Sequence, residues 1–144
     1  MLDINILDFF KNGGHLNEVH LNDSIEKVTQ ICGNPIEKIG DKECGFLHYS
    51  NGVRFGYFNN EIDELAIVFF GNTSIKYDIN CDHLTVINEK STINEIIYLL
   101  NASNIVWKGN DEKNINVFSI KLNNNIYILF DLLTGFLTKI SLSR

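Results

Sequence analysis

The sequence predicts an α+β fold: two tandem units, each a helix followed by a three-stranded antiparallel meander, joined in one antiparallel sheet with the helices on one face. Two observations carry this. A capping-box pattern opens each unit, Asp23-Ser24-Ile25-Glu26 and Thr92-Ile93-Asn94-Glu95, in which the N-cap side chain and the one three residues on satisfy each other's free amide N–H groups. Alternating apolar runs separated by Asn- and Gly-rich turns follow both helices. Units that recur in this way each leave an apolar face that a neighbour covers. The 144 residues are the length of one domain. We divide residues 1–144 into an N-terminal helix (1–14), a first repeat (22–71), a connector (72–90) and a second repeat (91–142).

Taking the elements in order, residues 2–11 bring Ile4, Leu7, Phe9 and Phe10 into a short helix that Asn12-Gly13-Gly14 stops. Residues 23–32 set Ile25, Val28 and Ile31 on one stripe with Glu26, Lys27 and Gln30 outward, and Gly33-Asn34-Pro35 ends that helix. Strands follow at 46–50, 53–58 and 61–70, with turns at Asn51-Gly52 and Asn59-Asn60. Asn-Gly between alternating runs signals a type I′ hairpin, because both central residues need φ > 0. Residues 72–90 read as a polar connector, in which 77–79 and 84–87 are apolar enough for short edge strands or a partial helix. In the second unit Ile93, Ile96, Ile97 and Leu100 mark the helix, and 117–122, 126–132 and 136–142 the strands, with Asn123-Asn124-Asn125 and Thr134-Gly135 as turns. Matching Asp23 to Thr92 sets Val28 against Ile97 and Ile31 against Leu100, and the pattern later sets Val53, Phe55 and Tyr57 against Ile126, Ile128 and Phe130. Trp107, just after the second helix, is expected to plug the seam between the repeats.

An antiparallel sheet commonly buries one side and leaves the other wet. With Ile126, Ile128, Phe130, Phe136, Ile140 and Leu142 on the helix side, the far side holds Tyr127, Leu129, Asp131, Leu137, Lys139 and Ser141, joined from the first unit by Arg54, Gly56 and Phe58. Mixed aromatic and charged surfaces of this kind anchor protein interfaces. The acidic run Glu61-Ile62-Asp63-Glu64 reads as a turn offering contact to a basic partner. The expected partner-binding residues are therefore Arg54, Phe58, Asp63, Glu64, Tyr127, Asp131 and Lys139.

Composition narrows the function classes. A net charge of −6 with 12 scattered Lys and Arg argues against nucleic acid, which needs clustered cations, and favours a basic protein partner. The longest apolar runs, 65–70 and 126–130, fall far short of the ~20 residues that cross a bilayer, so no membrane partner is expected. An acidic N-terminus without a basic leader and three cysteines (Cys32, Cys44, Cys81), read as free thiols, predict a cytoplasmic protein. The clusters Cys44/His48 and Cys81/His83 lack the paired ligand spacing of zinc sites, so no metal is expected. Neither a Gly-x-Ser-x-Gly elbow nor a phosphate-cradling glycine loop is present, so neither catalytic residues nor a cofactor is expected.

Residues 24–35, a helix then Gly33-Asn34-Pro35, with a meander ending in an aromatic-rich strand, resemble the helix-plus-meander modules of bacterial outer-membrane assembly lipoproteins. Two such modules in tandem resemble the beta-lactamase-inhibitor-protein fold. That resemblance implies a concave sheet that grips an enzyme and blocks its active site. The chain departs from both families: it has neither the lipid-accepting N-terminal cysteine nor the secreted inhibitor's disulfide pattern, which points to an intracellular inhibitor. Acidic chains of this size rich in Asn and Ile also resemble the immunity proteins of contact-dependent growth inhibition, which protect the producing cell by binding the toxin domain. The expected function is thus an immunity protein, not an enzyme, that neutralises a bacterial toxin, a basic nuclease, by occluding its active site. The alternatives are a small enzyme or ligand-binding domain whose pocket lies between helices and sheet, marked by converging Cys44, His48 or His83, and an adaptor that self-assembles through edge strands.

Overall fold

Two four-stranded meanders meet along their last strands. The computed structural model describes residues 2, 4–80, 83–110 and 116–144. Helix α1 (Ile6–Asn12) leads through the hairpin β1 (His15–Leu16) and β2 (Val19–His20) to α2 (Ile25–Cys32). The first meander follows: β3 (Glu37–Gly40), β4 (Cys44–His48), β5 (Val53–Phe58) and β6 (Glu61–Val68). A hairpin, β7 (Ser74–Asn80) and β8 (His83–Asn88), precedes α3 (Ile93–Ala102). The second meander is β9 (Trp107–Asn110), β10 (Val117–Leu122), β11 (Ile126–Asp131) and β12 (Leu137–Ser143). The sheet runs β3-β4-β5-β6-β12-β11-β10-β9, antiparallel throughout, so the protein is α+β and mainly antiparallel sheet.

One hydrophobic cluster takes the inward side chains of the sheet, such as Phe55, Leu65, Ile67, Ile120, Ile128, Phe130 and Ile140. Phe9 and Phe10 of α1, Val28 of α2 and Ile96, Leu99 and Leu100 of α3 fill the same cluster, as do Ile75, Tyr77 and Ile87 of the β7–β8 hairpin. Each fully buried aliphatic or aromatic side chain there is worth roughly 1.5–3 kcal/mol of transfer free energy. Tyr77 keeps its hydroxyl satisfied inside by sharing a hydrogen bond with Ser103 at the end of α3 (2.5 Å).

Several expectations are corrected. Each meander has four strands: β3 and β9 are edge strands whose exposed or half-buried residues carry no apolar alternation to read. Residues 74–80 and 83–88 pair only with each other, as a separate two-stranded sheet. The first helix begins at Ile6, capped by Asn5. Ser24, rather than Asp23, caps α2 by accepting the Lys27 N–H, and Asp23 instead accepts from the His20 N–H and the Lys27 ammonium. The reciprocal capping box is complete at Thr92 and Glu95. Asn51 and Gly52 both take positive φ (59° and 76°) but belong to a three-residue turn with Ser50, closed by the Tyr49 N–H on the Val53 carbonyl; Asn59-Asn60 is a two-residue turn with two positive φ values (50° and 66°). Trp107 lies on the edge strand β9, at one end of the sheet and away from the β6–β12 seam, donating its indole N–H to Asn101.

Leu137 and Phe136 exchange the faces expected of them. A register shift between Leu129 and Phe130 pairs Phe130 with Leu137, which turns Leu137 into the core and leaves Phe136 exposed. The extra residue, Thr138, uses its hydroxyl to donate to the Leu129 carbonyl. A bulge inserts one residue and so reverses the in–out alternation beyond it.

Candidate partner-binding face

The sheet surface turned away from the core is organised by its register. Direct cross-strand pairs run through Tyr127, Ser141, Ala66, Arg54, His48 and Glu37, one residue on each of six adjacent strands. Directly paired side chains share a face, and these alternate with the core residues Ile128, Ile140, Leu65 and Phe55. At the seam the row is small: Ala66 and Ser141 are both buried although they point away from the core.

The charged groups above them explain this. Glu64 stands two residues before Ala66 on β6, and Lys139 two residues before Ser141 on the antiparallel β12, so they flank the small pair from opposite ends. Their side chains meet across it, with Lys139 Nζ 2.5 Å from Glu64 Oε2, while Arg54 Nη2 donates to Glu64 Oε1 at 2.9 Å. A larger side chain at either small position would occupy the path of the bridge. Burial alone would raise the Glu64 carboxyl, but hydrogen bonds from Lys139 and Arg54 and their positive charges outweigh it and hold the group below its ordinary value. The Arg54 guanidinium also lies 4.3 Å from the centre of the Phe46 ring, a cation–π contact. Gly56 makes this packing possible, since a Cβ there would stand 3.0 Å from both Glu64 Cβ and Asp63 Oδ1 and 3.5 Å from the Phe46 ring. Burial, aided by Arg54 and opposed by Glu37, lowers the His48 imidazole, so that it is neutral at neutral pH.

Of the seven residues expected from sequence, Arg54, Glu64 and Lys139 form this single ion cluster. Tyr127 sits beyond Ser141 on β11 with the Lys121 ammonium 5.5 Å from its ring centre. Phe58 lies at the end of β5, paired with Cys44 and Glu61 and half exposed. Asp63 is the extra residue of a bulge in β6, and its carbonyl accepts the Arg144 N–H. Glu61-Ile62-Asp63-Glu64 is therefore strand and not turn, with Ile62 buried. Asp131 closes the β11–β12 turn, accepting the Leu133 N–H on its carboxylate. No family model, curated protein or solved structure matches the chain.

Sequence reasoning missed Phe46 and Ile39, which extend the same face across β4 and β3 and are exposed. The signal was available in residues 44–48, where period two places Cys44, Phe46 and His48 together. Cys44 and His48 accordingly lie on the outward face and do not converge in a pocket between helix and sheet. Cys81, and with it any Cys81/His83 cluster, lies outside the described residues. A recess of about 360 Å³ does open between β8 and α3, with Thr85, Val86, Ser91, Glu95, Tyr98 and Leu99 in its lining. No helix among the described residues is long and apolar enough to cross a membrane.

Proposed function

We propose that this chain is an inhibitor of the immunity-protein kind, which neutralises a toxic enzyme by seating its outward sheet face over that enzyme's active site. The observation that carries the reading is the composition of that face: exposed Ile39, Phe46 and Phe58 stand beside the half-buried Arg54–Glu64–Lys139 cluster. Aromatic and arginine anchors next to partly desolvated charge are what hot spots are made of. With a net charge of −6, the chain favours a basic partner, and a nuclease, whose site must attract phosphate, has that character. Such an inhibitor acts in the cytoplasm of the cell that makes the toxin, and its activity is binding rather than catalysis.

We further propose that the two halves are diverged copies of one helix-plus-meander unit. Three pairs of features support this. Ser24 and Thr92, the N-caps of α2 and α3, each bridge to the start of an inner strand, at Glu61 and Phe136. The Ile62 N–H donates to the Asp23 carbonyl as the Leu137 N–H donates to the Ser91 carbonyl. One residue on, both inner strands carry a bulge, at Asp63 and Thr138. An axis through the Ala66–Ser141 pair relates β6 to β12, since Lys139↔Val68 and Ser143↔Glu64 exchange under it.

Co-expression with the product of the gene immediately upstream tests the function. The proposal expects that product to be toxic alone, harmless with this chain, and recovered with it as a complex. A harmless upstream product, or a toxic one that this chain neither rescues nor binds, defeats it.

A further inference from the structure

We infer that His15 and His20 form a binding site for a divalent transition-metal ion, at the junction of α1, the β1–β2 hairpin and the start of α2. Asn17 and Glu18, both at positive φ (49° and 65°), close the hairpin and bring His15 and His20 into direct register. Their side chains therefore share a face, with ring centres 5.4 Å apart. Two imidazoles on one tetrahedral ion, each with a metal–nitrogen distance of about 2.0–2.1 Å, have ring centres roughly 5 Å apart. The hairpin already holds the rings at that separation.

A carboxylate stands beside each ring. His15 Nε2 is 3.2 Å from Asp8 Oδ2, and His20 Nδ1 is 3.8 Å from Asp23 Oδ2. Metal-ligating histidines commonly turn their second nitrogen to a carboxylate, and Asp8 stands in that position to His15, while Asp23 lies near His20 beyond hydrogen-bond distance. The nitrogens left to coordinate are His15 Nδ1 and His20 Nε2. His15 Nδ1 is shielded from solvent without a hydrogen-bond partner, a rare condition that an ion would relieve. Among the described residues no group of three or more His, Cys, Asp or Glu is placed to hold a metal, so water completes the coordination. Imidazole ligands suit Zn²⁺, Cu²⁺ or Ni²⁺, whereas Ca²⁺ and Mg²⁺ take oxygen. A recess of about 280 Å³ lined by Asn5, Asp8, His15, Leu16, Asn17 and Glu18 opens beside His15. An ion there would link the two strands of the hairpin, independently of any protein partner.

Titration of the full chain with Zn²⁺ alone, followed by calorimetry, tests the site. One ion per chain is expected, with binding about tenfold or more weaker in both His20→Ala and Asp8→Asn. Absence of saturable uptake overturns the inference, as does undiminished affinity in folded His20→Ala, which would locate the ion on thiols such as Cys32 and Cys44. Should that variant not fold, the ring ¹⁵N resonances of the unsubstituted protein decide: both histidines shift on adding Zn²⁺ if the site exists, and neither does if it does not.

Discussion

Glu64 and Lys139, from opposite halves of the chain, form a 2.5 Å ion pair over the Ala66–Ser141 pair at the seam of the sheet. The contact joins the two meanders on the side away from the core. Its strength lies between that of an exposed pair, about 0–1 kcal/mol, and the ~3–5 kcal/mol lost when one partner of a buried pair is removed.

Glu64→Gln is accordingly expected to cost about 2 kcal/mol at neutral pH, because it leaves Arg54 and Lys139 half-buried without their anion. The loss should depend on pH. The folded-state carboxyl titrates below its ordinary value of 4.5, so its contribution is complete above that pH and disappears as the pH falls through the folded-state value. Urea denaturation at about pH 7 and about pH 3 checks this, the gap between the native protein and Glu64→Gln narrowing at the lower pH.

Ala66→Leu should be destabilising by about 1–3 kcal/mol, since the added atoms meet the Glu64–Lys139 bridge above a closed strand pair. Ser119→Ala should be neutral or slightly stabilising. The Ser119 hydroxyl is buried without a partner, and its removal relieves an unmet desolvation cost. Thermal denaturation of the two variants distinguishes these signs.

Removal of either helix cap should cost about 1 kcal/mol, measured as Ser24→Ala and Thr92→Ala. The second should lose no more than the first, because Glu95 still accepts from the backbone N–H of residue 92 after the substitution, whereas position 27 is a lysine and returns no such bond. Chemical denaturation of both variants under one condition gives the comparison.

Much of this architecture is readable in the chain. The alternation in 126–131 orients β11 without ambiguity, and the cap at Thr92 marks the start of α3. What escaped reading has physical causes. Edge strands bury little, so β3 and β9 carry no period-two pattern. The bulges at Asp63 and Thr138 change the face of every residue beyond them without any local mark in sequence. Arg54 and Glu64 are far from Lys139 in the chain, and the meeting of the three depends on the β6–β12 register, a long-range relation. The pairing of His15 with His20 depends on a turn at Asn17-Glu18, which carries no glycine to announce it.

The most direct measurement is the dissociation constant of the toxic upstream product from folded Phe46→Ala, Phe58→Ala and Tyr98→Ala variants. Phe46 and Phe58 lie on the outward face, while the exposed Tyr98 belongs to α3. If that face is the inhibitory surface, at least one of the two phenylalanine variants binds about 30-fold more weakly, equivalent to ~2 kcal/mol, and Tyr98→Ala binds as the native protein does. Loss of affinity in Tyr98→Ala alone, with both phenylalanine variants unchanged, would contradict the account.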